Sequence, residues 1–255
     1  MRILVTYAVE AEFAPWRRLR NLEEIRVPDK PDTFRARVGS AKVDFVVTGM
    51  GVENAFRVAT ALLDEPYQVC ITSGFAGALK EQHKVGHILV ADAVRLLEKA
   101  KTMQCGRNLV YAARRDGAKQ VKLFLTSDHV VRTAEEKQRL APFGDAVEME
   151  SFGVLSAAHE RQRSAVAIRV ISDDVRNDMP AIVDTAVDEK GRVKIAGVVR
   201  HVATHPLQLP ALIRLGRDSK TAAEALAHFL EAFIKKLSFS THGWPPPELQ
   251  EVAAR

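Results

Sequence analysis

Cysteine is nearly absent: the chain of 255 residues has two, Cys70 and Cys105. They form no disulfide framework and no metal-ligand spacing, and a reducing cytoplasm is the simplest compartment for such a chain. No run of about 18 apolar residues occurs, which argues against a membrane span. The opening Met1-Arg2-Ile3-Leu4-Val5-Thr6-Tyr7 is too short an apolar stretch for a signal peptide and reads instead as a first strand. Neither sign of charge dominates, with 37 basic against 32 acidic residues and a net charge of +5. The basic residues fall in scattered pairs such as Arg17-Arg18, Arg114-Arg115 and Lys235-Lys236. That is not the concentrated stripe that nucleic-acid binding needs; the mild excess supports only a weak attraction to anionic substrates or a membrane surface. A dinucleotide-binding oxidoreductase would place a G-x-G-x-x-G turn after the first strand. Glu10-Ala11-Glu12 stands there instead, and that class is set aside. There is no internal repeat and no low-complexity segment.

What is present is an ordinary globular balance, 47% apolar and 27% charged, in a chain long enough for a full core. Strand-like runs recur at Ile3–Tyr7, Val43–Thr48, Val69–Thr72, His87–Ala91, Val121–Leu125 and Ala165–Ile171. Helical spacing appears between them, in Glu53–Leu63 and in Met149–Gln162. The alternation predicts an α/β domain around a central sheet. Asp29–Gly39, with Pro31 inside it and Pro28 just before it, reads as an irregular excursion. Residues 1–237 form one expected domain, in which Asp184–Lys194 is polar and reads as a loop or hairpin. Pro206–Leu215 and Thr221–Leu237 read as two helices parted by Gly216, with Asp218 or Ser219 capping the second. Residues 238–255, with Trp244-Pro245-Pro246-Pro247, read as an extended tail.

Five segments could carry chemistry. Glu10-Ala11-Glu12 follows the first strand, where open α/β sheets place ligands; acids there also suit a helix N-terminus. Thr48-Gly49-Met50-Gly51 and Ser73-Gly74-Phe75-Ala76-Gly77-Ala78 each follow a strand. Their glycines let backbone amides approach an anion, or simply allow tight turns and close packing. Val147-Glu148-Met149-Glu150-Ser151 offers two carboxylates that share a face if extended and diverge at a helix start. One such carboxylate can accept from two hydroxyls at once. Ile171-Ser172-Asp173-Asp174 ends a β-branched run in acids that serve either as an N-cap or as a proton donor.

In their order and spacing these segments resemble the nucleoside phosphorylase and nucleosidase superfamily, on its methylthioadenosine/S-adenosylhomocysteine nucleosidase side, from Met1 to about Val175. The resemblance implies a three-layer αβα sandwich with a mixed central sheet, and cleavage of the N-glycosidic bond of an adenine nucleoside with a 5′ substituent. It assigns Asp173 to protonating the purine, Glu12 to activating water, and Glu150 with Met149 to the ribose. It places Val130, Val131 and Ser172 beside the base, and Gly49, Gly51, Gly74 and Phe75 around phosphate or water. No metal and no organic cofactor is implied; inorganic phosphate stays open as co-substrate, and a homo-oligomer and a cytoplasmic small-molecule enzyme are expected.

The chain departs from the family in three places. Phe75 replaces the family's hydroxyl residue, Thr72 stands near where phosphorylases carry an arginine, and Val130 replaces an aromatic residue. A narrower resemblance runs through Arg200-His201 and Pro206–Leu215 to the hopanoid-biosynthesis members, which implies adenosylhopane as substrate. Hydrolysis and phosphorolysis both stay open at this point. The alternative to an enzyme is a nucleoside-sensing module on the same fold. It accommodates Phe75 and Thr72 but has no need of Glu12, Glu150 and Asp173 together.

Overall fold

The computed structural model describes residues 1–184 and 204–239. Among them the chain runs β1 (Arg2–Tyr7), α1 (Glu10–Leu19), β2 (Glu23–Ile25), β3 (Thr33–Val38), β4 (Ala41–Val47), α2 (Val52–Leu63) and β5 (Val69–Ala78). It continues through β6 (Ile88–Leu96), β7 (Lys101–Gln104), α3 (Arg107–Arg115), β8 (Lys119–Thr126), α4 (Ala134–Leu140), β9 (Ala146–Glu148), α5 (Ser151–Glu160) and β10 (Ser164–Asp173). Short 3-10 turns at Ala181–Asp184 and Pro206–Gln208 precede a last helix, α6 (Leu209–Phe239).

The ten strands make one mixed sheet in the order β10-β6-β8-β9-β5-β1-β4-β3-β2, with β7 on β6. β10 also pairs with β5 in parallel, so β5, β10, β6, β8 and β9 close on themselves while β1, β4, β3 and β2 extend as a wing. β5 is the axis of this arrangement, bonded in parallel to β1 and β10 and antiparallel to β9 at Gly77 and Ala78. Strands covered on both faces need apolar residues at nearly every position. β1 and β10 have them, as buried Ile3, Leu4 and Val5 and buried Val166, Ala167, Ile168, Val170 and Ile171 show. The one charge within that run of β10 is Arg169.

Two helical layers cover the sheet: α1 packs with α6, and α2 packs with α5. α1 is held down by Phe13 and Trp16, whose rings meet Phe45 of β4 at centroid distances of 5.7 and 4.6 Å, tilted contacts of the kind aromatic pairs favour. α2 and α5 approach so closely that a Cβ on Gly153 would stand 2.4 Å from the carbonyl oxygen of Val52.

Several sequence expectations need correction. The excursion at Asp29–Gly39 contains β3, in which Thr33, Ala36 and Val38 are buried. The two C-terminal helices are one, because Gly216 lies inside α6 rather than ending it. An interior glycine costs a helix about 1 kcal/mol relative to alanine, and packing of Ala222, Leu226, Leu230 and Phe233 into the core offsets it. Ser238 and Phe239 belong to α6 and not to the tail. Residues 185–203 and 240–255, including most of the expected loop and the proline run, lie outside the described residues. Among the described residues no helix is long and apolar enough to cross a membrane.

Gly153→Ala is expected to destabilise the protein by about 1–3 kcal/mol, the usual cost of overpacking, because the atom in its way is backbone and cannot turn aside. A lower urea midpoint at unchanged slope would register the effect.

Candidate active site

A cavity of about 510 Å³ opens at the ends of β1, β5, β9 and β10, a size usual for small-molecule sites. Its polar floor is built on Arg169. The side chain of this residue is fully buried. Its Nη2 donates to a Glu148 carboxylate oxygen, to Ser151 Oγ at 2.9 Å and to Thr72 Oγ1 at 3.3 Å. Nη1 donates to the Ser73 carbonyl at 3.3 Å and lies 3.5 Å from Glu150 Oε2. Glu148 further accepts from the hydroxyl of Thr126 and from the amides of Glu150 and Ser151 at 3.0 and 2.7 Å. That saturates it and fixes the turn into α5.

Glu12 stands in the first turn of α1, the helix-start alternative of the two that its position after β1 offered. It is buried, and its carboxylate is caught from two sides. Oε2 accepts from the amides of Ala8 at 2.7 Å and Val9 at 3.1 Å; Oε1 accepts from the amide of Phe75 at 2.7 Å. Burial raises its pKa from the ordinary value, against the pull of Arg169 and these three amides. Glu150 caps α5; its Oε1 accepts from the Gly51 amide at 3.0 Å. Burial pushes its pKa up to about 7, with Arg169 opposing and Glu148 and Glu12 adding to the rise.

Gly74 makes this close approach feasible. A Cβ there would fall 2.5 Å from Glu12 Oε1 and 2.6 Å from Arg169 Nη1, and its φ of +144° suits glycine alone. Asp173 ends β10, past a register shift between Ile171 and Asp173. Its Oδ1 accepts from the Ser172 hydroxyl at 2.7 Å and its Oδ2 from Lys137 Nζ at 2.5 Å.

Of the residues singled out from sequence, Glu12, Phe75, Val130, Val131, Met149, Glu150, Ser172 and Asp173 all line this one cavity. Gly49, Gly51 and Gly74 do not; Met50 lines it between the first two, and the Gly51 amide is engaged by Glu150. The segment Ser73–Ala78 is strand, not loop, because β5 continues through it to pair with β10 and β9. Sequence reasoning overlooked Arg169, though a lone arginine in the apolar run Ala165–Ile171 was a signal. It also overlooked Lys137, which nothing in the polar stretch Ala134–Leu140 sets apart.

The phosphorylase superfamily matches residues 2–204. The chain belongs to that superfamily. A methylthioadenosine/S-adenosylhomocysteine nucleosidase of Desulfotalea psychrophila is 26% identical over 188 residues, covering 64% of this chain and 80% of that one. In fold, the chain is similar to the Helicobacter pylori nucleosidase solved with butyl-thio-DADMe-Immucillin-A, with a TM-score of 0.72 at 18% identity over 92% of this chain and 98% of that one. Futalosine hydrolase from the same organism gives a TM-score of 0.71 at 18% identity, with the same coverage of both chains. These likenesses agree with the mixed α/β sheet expected from sequence.

The raised pKa of Glu150 has a consequence for stability. Between its ordinary 4.5 and about 7 the folded protein holds a proton that the unfolded chain releases, so the contribution of this group to stability falls as pH rises through that window. Glu150→Gln removes the dependence. Its melting temperature is expected to gain on that of the parent between about pH 5 and about pH 8. A difference constant with pH in paired thermal melts would show that Glu150 titrates normally.

Proposed function

We propose that the chain hydrolyses the N-glycosidic bond of an adenine nucleoside with a bulky apolar 5′ group. In this reading Asp173 delivers a proton to N7 of the purine as the C1′–N9 bond breaks. Glu150, once ionised, accepts from the ribose hydroxyls. Glu12 takes a proton from the water whose oxygen bonds to C1′, and adenine leaves neutral. The D. psychrophila relative is a nucleosidase, which supports the reaction class.

The observation that carries hydrolysis is the setting of Glu12. Its carboxylate shares the cavity floor with Glu150, beside Phe75, while the donors of Arg169 are engaged by Glu148, Ser151, Thr72 and backbone carbonyls. A phosphate anion there would face two carboxylates, with the guanidinium at that floor already committed to other acceptors. Water beside a carboxylate whose basicity is raised by burial suits general-base chemistry.

The rest of the wall bears on the 5′ group. Pro15, Ile182, Val183, Leu212, Leu215 and Ala223 make its apolar part, beside Arg18, Ser219 and Lys220, and Gly216 of α6, where an added Cβ would meet no atom within 4 Å, leaves room. Adenosylhopane, suggested by the resemblance at Pro206–Leu215, fits that chemistry. Leu207, Leu209 and Ile213 stay exposed beside it, next to exposed Arg214 and Arg217. This pattern suits contact with an anionic lipid surface from which such a substrate would be drawn.

The test is to give purified protein 5′-methylthioadenosine, or adenosylhopane in phosphatidylglycerol vesicles, with and without phosphate, and to follow adenine and sugar. Adenine with a free reducing sugar and no need of phosphate is expected, with higher kcat/KM on adenosylhopane. Strict dependence on phosphate, with a sugar 1-phosphate formed, would overturn hydrolysis. Silence on both nucleosides would overturn the class. Failure to co-sediment with the vesicles would overturn only the lipid contact.

A further inference from the structure

Lys137 is the one buried residue of α4. Its ammonium is fully enclosed, with Nζ 2.5 Å from Asp173 Oδ2, 2.7 Å from the Asp174 carbonyl and 3.5 Å from the Asn177 carbonyl. Burying an ammonium carries a desolvation cost of several kcal/mol, and an apolar side chain of similar volume commonly packs as well or better. Fixing α4 to the end of β10 does not by itself call for a charge. The partner of that charge is the carboxylate aimed at the purine, and the neighbouring Ser172 hydroxyl holds its other oxygen at 2.7 Å. Gly77 leaves the space: a Cβ on it would come within 3.0 Å of Asp173 Oδ2.

We propose that Lys137 is the positioning residue for Asp173 and the holder of the proton that Asp173 delivers; this rests on Asp173 being the acid. The resting pair is ammonium and carboxylate. As C1′–N9 breaks and the electron pair moves into the base, an N–H proton passes from Nζ to the carboxylate. A carboxylic proton passes from Asp173 to N7, leaving Lys137 as a neutral amine. The proton that the attacking water gives up returns through solvent to Asp173, which lines the open cavity, and from it to Nζ, so the sum is one water consumed and one neutral adenine released. Enclosure of Nζ by three protein oxygens keeps competing water off this proton.

The experiment compares Lys137→Met, Lys137→Gln, Asp173→Asn and the double variant Lys137→Met/Asp173→Asn with the parent on 5′-methylthioadenosine, with thermal melts to check folding. Asp173→Asn is expected to lower kcat about 10²–10⁴-fold, the usual range for a lost general acid. Each Lys137 variant is expected to lose kcat at least about tenfold with KM within about threefold, because the groups around ribose and base stay in place. The double variant is expected to be no slower than Asp173→Asn, since both changes disable one device. A folded Lys137→Gln or Lys137→Met with the kcat of the parent overturns the proposal. So does a loss that falls on KM instead, or one that multiplies with that of Asp173→Asn. If Asp173→Asn itself keeps full activity, the assignment of the acid fails, separately from that of the lysine.

Discussion

A single guanidinium enclosed with three glutamates sets the terms for the rest of this molecule. Arg169 is bonded to Glu148, lies 3.5 Å from Glu150 and acts electrostatically on Glu12. A charge taken this far from water must be met by acceptors on every side, and β5, β9 and α5 supply them. Thr72 and Ser73 come from β5, Glu148 from β9, and Ser151 from the first turn of α5. The closed part of the sheet, in which β5 touches β1, β9 and β10, brings those elements to one point. One positive charge among three carboxylates also leaves a local excess of negative charge. Burial is the main cause of the raised proton affinity of both Glu150, pushed up to about 7, and Glu12; at Glu150 the charges of Glu148 and Glu12 add to it.

The chemistry divides along β10. Arg169 organises Glu148 and Glu150 at the cavity floor, while Asp173, four residues on and past the register shift, is paired with the separate cation of Lys137. Two separate cation–carboxylate systems at one cavity suit a reaction that removes a proton at one point and delivers one at another. The wall formed by α1 and α6 joins apolar Pro15, Leu212 and Leu215 to Arg18, Ser219 and Lys220.

Much of this was legible in the residues. The apolar runs of β1, β4, β5, β8 and β10 announce buried strands, and Glu12, Glu150 and Asp173 stand out as acids at strand and helix ends. What was not legible has physical causes. β5 runs on through glycines that read as a loop, because pairing on both of its edges holds them extended. Gly216 reads as a helix stop, but tertiary packing carries α6 through it. Lys137 reads as one more charge on a solvated helix, since only the third dimension sets Asp173 opposite it. Arg169 could have been found by asking what a charge in the middle of a buried strand must neutralise.

The most direct measurement is urea unfolding of Arg169→Met at two pH values. The substitution keeps bulk but removes the charge that the three carboxylates share. Loss of one partner from a buried pair costs about 3–5 kcal/mol. A loss of that size is expected at about pH 8, where Glu150 and Glu12 must ionise without a counter-charge, and a clearly smaller one at about pH 5, where they can take up protons instead. An equal loss at both pH values, or none, would contradict the account, because Arg169 would then be holding packing and not charge.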